Sequence, residues 1–157
     1  MPFRYRVEDV LPHAPPMILI DEIISKGPET LSAGVTIRRG IAFFEAARGV
    51  PAHVAIEWMA QTCGAFVGVE ARDAGQAVRL GLLLGTRNFR ARTPWFRLEE
   101  RLLVTATMVL RDREVGAFDC VVVDSNGEER ATARLLLQNL NDSAGLLATD
   151  DEQQGDE

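Results

Sequence analysis

The sequence predicts an α+β domain in which one long central helix is wrapped by an antiparallel sheet of about five to six strands. Three observations carry that expectation. From Ala52 to about Asp73 the apolar residues recur at helical spacing. The same stretch is apolar or small nearly all round, which is the pattern of a buried helix rather than a surface one. Two strand-like segments precede it and four follow it, so the helix is segregated from the strands instead of alternating with them, and an antiparallel sheet is expected.

Taken in order, Val7–Leu11 fits one helical turn ended by Pro12. After Pro15-Pro16 the run Met17–Ile24 reads as a strand, closed by Gly27-Pro28. Thr30–Ile37 alternates through Leu31, Ala33, Val35 and Ile37 and is expected to pair with it as a hairpin. Residues 38–51, with Gly40, Gly49 and Pro51, read as loop. In the helix, Ile56, Met59, Ala60, Cys63, Phe66, Val67 and Val69 supply the apolar spacing, and only Glu57 and Gln61 are polar in its first turns. Gly64 and Gly68 cost helix propensity and point to close contact with another backbone. Pro51 suits the first turn and Gly75 a C-terminal cap. Val78–Phe89, Arg101–Arg111, Gly116–Asp124 and Arg130–Gln138 are the later strands, with Ser125-Asn126-Gly127 as a hairpin turn.

The 157 residues are 46 % hydrophobic, enough for one domain with its own core. The net charge of −6 is unevenly placed: six acids and no Lys or Arg fall from Asn141 onward, and removing those six from 23 leaves 17 acids against 17 bases. Residues 1–140 therefore read as a neutral folded domain and 141–157 as an acidic, disordered tail. A neutral body argues against nucleic acid as a partner. Cys63 and Cys120 are too few for a disulfide framework and fall in apolar runs, so buried reduced thiols are expected. No signal peptide and no run of membrane-span length is seen, and a soluble, cytoplasmic protein is expected.

Glu57 is the first candidate for chemistry. A carboxylate in the second turn of an apolar helix is costly unless paired or shifted in pKa, although the helix N-terminus favours an anion; the alternative is a capping glutamate. Its acid/base partner must be one of two histidines. His13 is held in a rigid Pro-rich turn, and His53 lies one helical turn before Glu57. No Cys/His/Asp cluster has metal-ligand spacing and no nucleotide-binding or nucleophile-elbow motif is present, so neither metal nor cofactor is expected. Arg87, Arg90, Arg92, Arg97 and Arg101 crowd around Pro94-Trp95-Phe96. They read either as a solvated strand end or as a basic, aromatic-rimmed mouth for a phosphate-bearing or acidic partner.

Two stretches resemble a known family. Leu11-Pro12-His13-Ala14-Pro15-Pro16-Met17-Ile18-Leu19-Ile20-Asp21 resembles the "LPHxxPxLLxD" opening of bacterial 3-hydroxyacyl-carrier-protein dehydratases. Val50-Pro51-Ala52-His53-Val54-Ala55-Ile56-Glu57-Trp58-Met59-Ala60-Gln61 resembles their "PGxxxxEAxAQ" helix start. With Gly85-Thr86-Arg87 and the closing strands, the resemblance spans residues 6–139, and within the superfamily it points to the divergent subgroup encoded with aryl-polyene pigment pathways. It implies a hot-dog fold, a dimer with active sites at its interface, and an acidic residue on the central helix working with a His from a preceding "GHFP" motif. Glu57 matches the acid. The histidine position holds Phe43, in Ala42-Phe43-Phe44-Glu45, and Ala52 replaces a glycine whose backbone N–H polarises the thioester carbonyl.

The leading expectation is dehydration of a 3-hydroxyacyl thioester on acyl carrier protein, with His13 as base, Glu57 as acid, and the N–H of Ala52 or His53 on the carbonyl. Trp95 and Phe96 are expected to line the entrance, and Arg87, Arg90, Arg92 and Arg97 to dock the acidic carrier. A homodimer joined by edge strands is expected, or a heterodimer with another dehydratase. The alternatives are a non-catalytic subunit binding carrier protein or a partner dehydratase, and an acyl thioesterase. A cavity shared by His13 and Glu57 separates the first reading from the non-catalytic one.

Overall fold

The computed structural model describes residues 2–13, 16–79 and 81–139. The acidic stretch 141–157 lies outside the described residues. A short helix α1 (Val7–Val10) leads into β1 (Glu22–Lys26) and β2 (Thr30–Thr36), then a two-residue strand β3 (Val50–Pro51), a 3-10 turn (Ala52–Val54) and the long helix α2 (Ala55–Asp73). β4 (Gly81–Ala91), β5 (Trp95–Phe96), β6 (Arg101–Asp112), β7 (Val115–Val123) and β8 (Glu129–Asn139) complete the chain. Six strands form one antiparallel sheet in the order β1-β2-β6-β7-β8-β4, and β3 pairs with β5 apart from it. This is the hot-dog architecture, with α2 packed on the sheet.

Alternation creates the face that holds α2. Leu31, Ala33 and Val35 of β2 and Leu102, Val104 and Ala106 of β6 are buried while the residues between them are not. Against this face α2 presents Trp58, Met59, Cys63, Phe66 and Val69, each 2 % exposed or less. Phe66 meets Phe118 of β7 edge to face at 5.7 Å, and the Lys26 ammonium stands 4.3 Å from its ring centre. Cys63 and Cys120 are free, buried thiols with their sulfurs 3.6 Å apart across the helix–sheet interface. Burial pushes the Cys63 thiol well above its ordinary pKa. The opposite side of α2 receives α1. A Cβ at Gly68 would stand 1.9 Å from the Val10 carbonyl oxygen, the close backbone approach its glycine predicts.

Several boundaries differ from the sequence expectation, each for a local reason. The first strand begins at Glu22, not Met17. The Met17 carbonyl and the Leu19 N–H are bonded to the Gln61 side chain instead of a neighbouring strand. The central helix opens with a 3-10 turn at Ala52–Val54 before α2 proper. Trp95–Phe96, read from sequence as a solvated strand end or an aromatic rim, is a strand paired to Val50–Pro51. Gly75 lies at φ +71°, just beyond the end of α2, as a left-handed helix stop should. The Asp124–Glu128 connection is tightened by the Asp124 carboxylate, which accepts from Asn126 N and Glu128 N.

The sheet leaves β1 and β4 as edges. β4 exposes three consecutive leucines, Leu82, Leu83 and Leu84. Among the described residues, no helix is long and apolar enough to cross a membrane.

Candidate active site

α2 is buried on its sheet side and opens along the stripe Glu57, Ala60, Gln61 and Gly64. Spacings of three and four place these residues on one face of the helix. The segment after α1 lies over this stripe, and between them is a cleft of about 180 Å³. Its walls include His13, Glu57, Gln61, Gly64 and Leu83. His13 and Glu57, the two residues that the sequence singles out, therefore line one cleft. The far wall continues: Gly64, Arg79, Gly81 and Leu137 also border a narrower hollow that runs along Val67 toward Phe118.

The two groups sit in different environments. Glu57 is exposed in the single chain, which corrects the expectation of a costly buried carboxylate; the helix face that carries it opens to the cleft instead of the core. His13 is half-buried, and its Nδ1 is buried without a hydrogen-bond partner among the described residues. An unpaired buried ring nitrogen is costly. His53 is exposed and does not line this cleft.

The N-terminal end of α2 is tied down from the other side. Trp58 packs on Phe96 with ring centres 5.1 Å apart, and the Arg130 guanidinium stands 5.4 Å from the Phe96 ring while pairing with Glu100 and Asp124. Phe96 is fully buried by these contacts, which removes it from the expected entrance lining: an inward-facing residue of β5 belongs to the core. The β3–β5 pairing extends one step further, because the Ala52 N–H donates to the Pro94 carbonyl at 2.9 Å. That N–H is thus engaged by the fold, and of the two donors named for the thioester carbonyl only the His53 N–H is left as a candidate.

The arginine cluster is divided by the fold. Arg87 and Arg90 are exposed along β4, and Arg92 is ion-paired with Glu129 at 3.2 Å. Arg97 instead shares a second cavity, of about 250 Å³, with Trp95, Phe44, Leu98 and Arg48. The Arg48 guanidinium stands 5.3 Å from the Trp95 ring centre. Two residues at these sites received no role from the sequence. Arg48 carries no motif signal. Gln61 closes the helix-start motif and is a buried polar residue one turn after Glu57, which is the signal that marks it.

A model of the ApeP dehydratase, ApeP-like, matches residues 5–148. Among solved structures, the chain is similar to the dehydratase heterocomplex ApeI:P from Xenorhabdus doucetiae. The two are 27% identical with a TM-score of 0.84, covering 94% of this chain and 99% of that one. It also resembles the PaaI protein of the E. coli phenylacetic acid degradation operon (14% identity, TM-score 0.59, 74% and 81% covered). A hypothetical thioesterase with coenzyme A from Streptococcus pneumoniae TIGR4 is similar at 12% identity and TM-score 0.60, with 75% and 87% covered. At such identities these last two speak to the fold alone. No curated protein matches the sequence. The chain belongs to the ApeP-like dehydratase family.

Proposed function

We propose that this chain dehydrates a 3-hydroxyacyl thioester, delivered on an acyl carrier protein, to the trans-2-enoyl thioester in aryl-polyene or fatty-acid-like biosynthesis. One observation carries the reading: an imidazole from the N-terminal segment and a carboxyl group from α2 line one cleft. Dehydration needs one group to remove the C2 proton and another to protonate the departing C3 hydroxyl. His13 takes the C2 proton, the released electron pair forms the C2=C3 bond, the C3–O bond breaks, and protonated Glu57 gives its proton to the leaving oxygen as water. Return of the proton from imidazolium to carboxylate resets the pair. The narrower hollow beyond Gly64 takes the acyl chain.

The cleft of one chain is smaller than the roughly 300–1,000 Å³ usual for a small-molecule site. A second protomer paired along β4 covers Leu82, Leu83 and Leu84 and closes the cleft beside Leu83, because joining two edges removes the unpaired strand of each. A homodimer is the primary expectation, and a monomer by light scattering at micromolar concentration counts against it. The carrier docks on Arg87 and Arg90, and the phosphate of its arm meets Arg97 and Arg48 beside Trp95. Raised salt weakens that docking, since screening shortens to about 3 Å at 1 M.

The deciding experiment incubates purified protein with 3-hydroxyacyl carrier protein and follows loss of water by mass spectrometry. Activity that survives both His13→Ala and Glu57→Gln removes the site assignment. A second reading, a non-catalytic subunit paired with a separate dehydratase, is favoured by Phe43 at the family's histidine position and by the likeness to a heterocomplex. It requires no dehydration by this chain alone and a stable complex with that dehydratase. A thioesterase leaves a free acid in the same spectrum.

A further inference from the structure

We propose that Gln61 is a positioning residue that sets the place of His13 over the cleft. The inference rests on reading His13 and Glu57 as the reacting pair. Gln61 is 4 % exposed, one of two buried polar or charged residues among those described. The other, Thr62, spends its hydroxyl within α2, donating to the Trp58 carbonyl at 2.7 Å. Gln61 spends its amide between elements. Its oxygen accepts from the Leu19 N–H at 2.8 Å, and its Nε2 donates to the Met17 carbonyl at 2.7 Å. A primary amide is the side chain of this length that offers an acceptor and a donor at once. Both bonds are made to backbone that has no sheet partner there, so removing the amide leaves two part-buried backbone groups without their partner.

Position makes this a matter of function. Gln61 lies one helical turn after Glu57 and lines the same cleft as His13. The segment that carries His13 is pinned at both ends against α2. Upstream, the Val10 carbonyl sits on Gly68, and Leu11 packs on Gly64, where a Cβ would meet its Cδ2 at 3.3 Å. Downstream, Met17 and Leu19 are tied to α2 by the two Gln61 bonds. His13 stands between the pins, and its Nδ1 has no hydrogen-bond partner among the described residues to hold the ring. The imidazole is therefore placed by its backbone, and that backbone is held upstream by Gly64 and Gly68 and downstream by Gln61. A reacting group misplaced by about 1 Å loses about 100-fold in rate.

The test uses Gln61→Leu, which removes both bonds at similar volume, and Gln61→Glu, which at neutral pH keeps the acceptor and loses the donor. The chain has two histidines, so isotope labelling of His gives two sets of imidazole signals, and His53→Asn assigns them. The expected result is that the His13 signals move in both variants, further in Gln61→Leu, while the His53 signals stay. With substrate, kcat falls by about 100-fold in Gln61→Leu and KM changes less than about threefold. Should Gln61→Leu not fold, Gln61→Glu carries the test by the same two readouts. His13 signals that coincide with the wild type in a folded variant overturn the proposal, as does a loss confined to KM. Wild-type protein inactive on every 3-hydroxyacyl thioester sinks the dehydratase reading instead, and the imidazole spectra still decide whether Gln61 places His13.

Discussion

The two faces of α2 are made from one sequence segment and meet opposite surroundings. Toward the sheet, Trp58, Met59, Thr62, Cys63, Phe66 and Val69 are 2 % exposed or less, and the one hydroxyl among them is satisfied within the helix. Toward the N-terminal segment, Glu57, Ala60, Gln61 and Gly64 border a cleft, and the polar groups there either face the opening or tie down the chain above it. The first face is optimised for packing, where every methylene counts. The second gives up packing to hold a carboxyl group, an imidazole and an amide around a space. The packed face and the cleft face are thus two sides of one helix, and substitutions on them should fail in different ways.

The largest effect is expected from the cleft face in activity alone. Glu57→Gln should lower dehydration by about 10²–10⁴-fold, the usual worth of a positioned general acid, while the urea midpoint stays near wild type because the side chain is exposed. A variant that unfolds as it loses activity would erase the contrast. On the sheet face the order reverses. Phe66→Ala, which empties the space against Phe118 and beneath Lys26, should cost about 3–5 kcal/mol of stability by chemical denaturation. Between the faces, Gly68→Ala should destabilise by about 1–3 kcal/mol, since its methyl group would collide with the Val10 carbonyl and push α1 off the helix. Fraying of α1 in hydrogen exchange would locate that damage.

The smallest effect is electrostatic and lies away from both faces. The hydrogen-bonded Arg134 guanidinium holds the Asp119 carboxyl below its ordinary range. A lowered folded-state pKa means the pair's contribution is complete above the ordinary carboxylate pKa of about 3.9 and is lost as pH falls through the lowered value. Both side chains are about half exposed, at 49% and 51%, so solvent screens most of the interaction. Asp119→Asn should therefore leave the unfolding midpoint at pH 7 nearly unchanged and flatten its fall below pH 4. A large loss at pH 7 would mean that the sheet surface matters more than either face of α2.

Much of this was legible before any fold. The spacing of Ile56, Met59, Cys63 and Phe66 specifies a helix with a buried stripe, because 3.6 residues per turn bring those positions to one side whatever they pack on. The alternation of Leu31, Ala33 and Val35 specifies a half-buried strand for the same kind of reason. Glu57 stood out as a carboxyl group among apolar neighbours, and Gly68 as a glycine that needed a close neighbour. What sequence reasoning misjudged depended on partners far along the chain. Phe96 looked like an aromatic rim, and its burial under Trp58 and Arg130 follows from a β3–β5 pairing too short to leave a periodic signal. Ala52 looked like a free N–H until Pro94 took it. The strand at Met17 looked continuous until the Gln61 amide claimed its backbone.

Local periodicity, composition and motif order are properties of neighbouring residues, and these alone determined the helix, the strands, the antiparallel class and the pair His13 and Glu57 as candidates. Which side of α2 opens, which polar groups face the opening and which hydrogen bonds are already spent are properties of contacts between distant segments. Only the tertiary structure decided those, because a backbone donor or a cleft wall is defined by what arrives opposite it, and sequence spacing carries no record of that arrival.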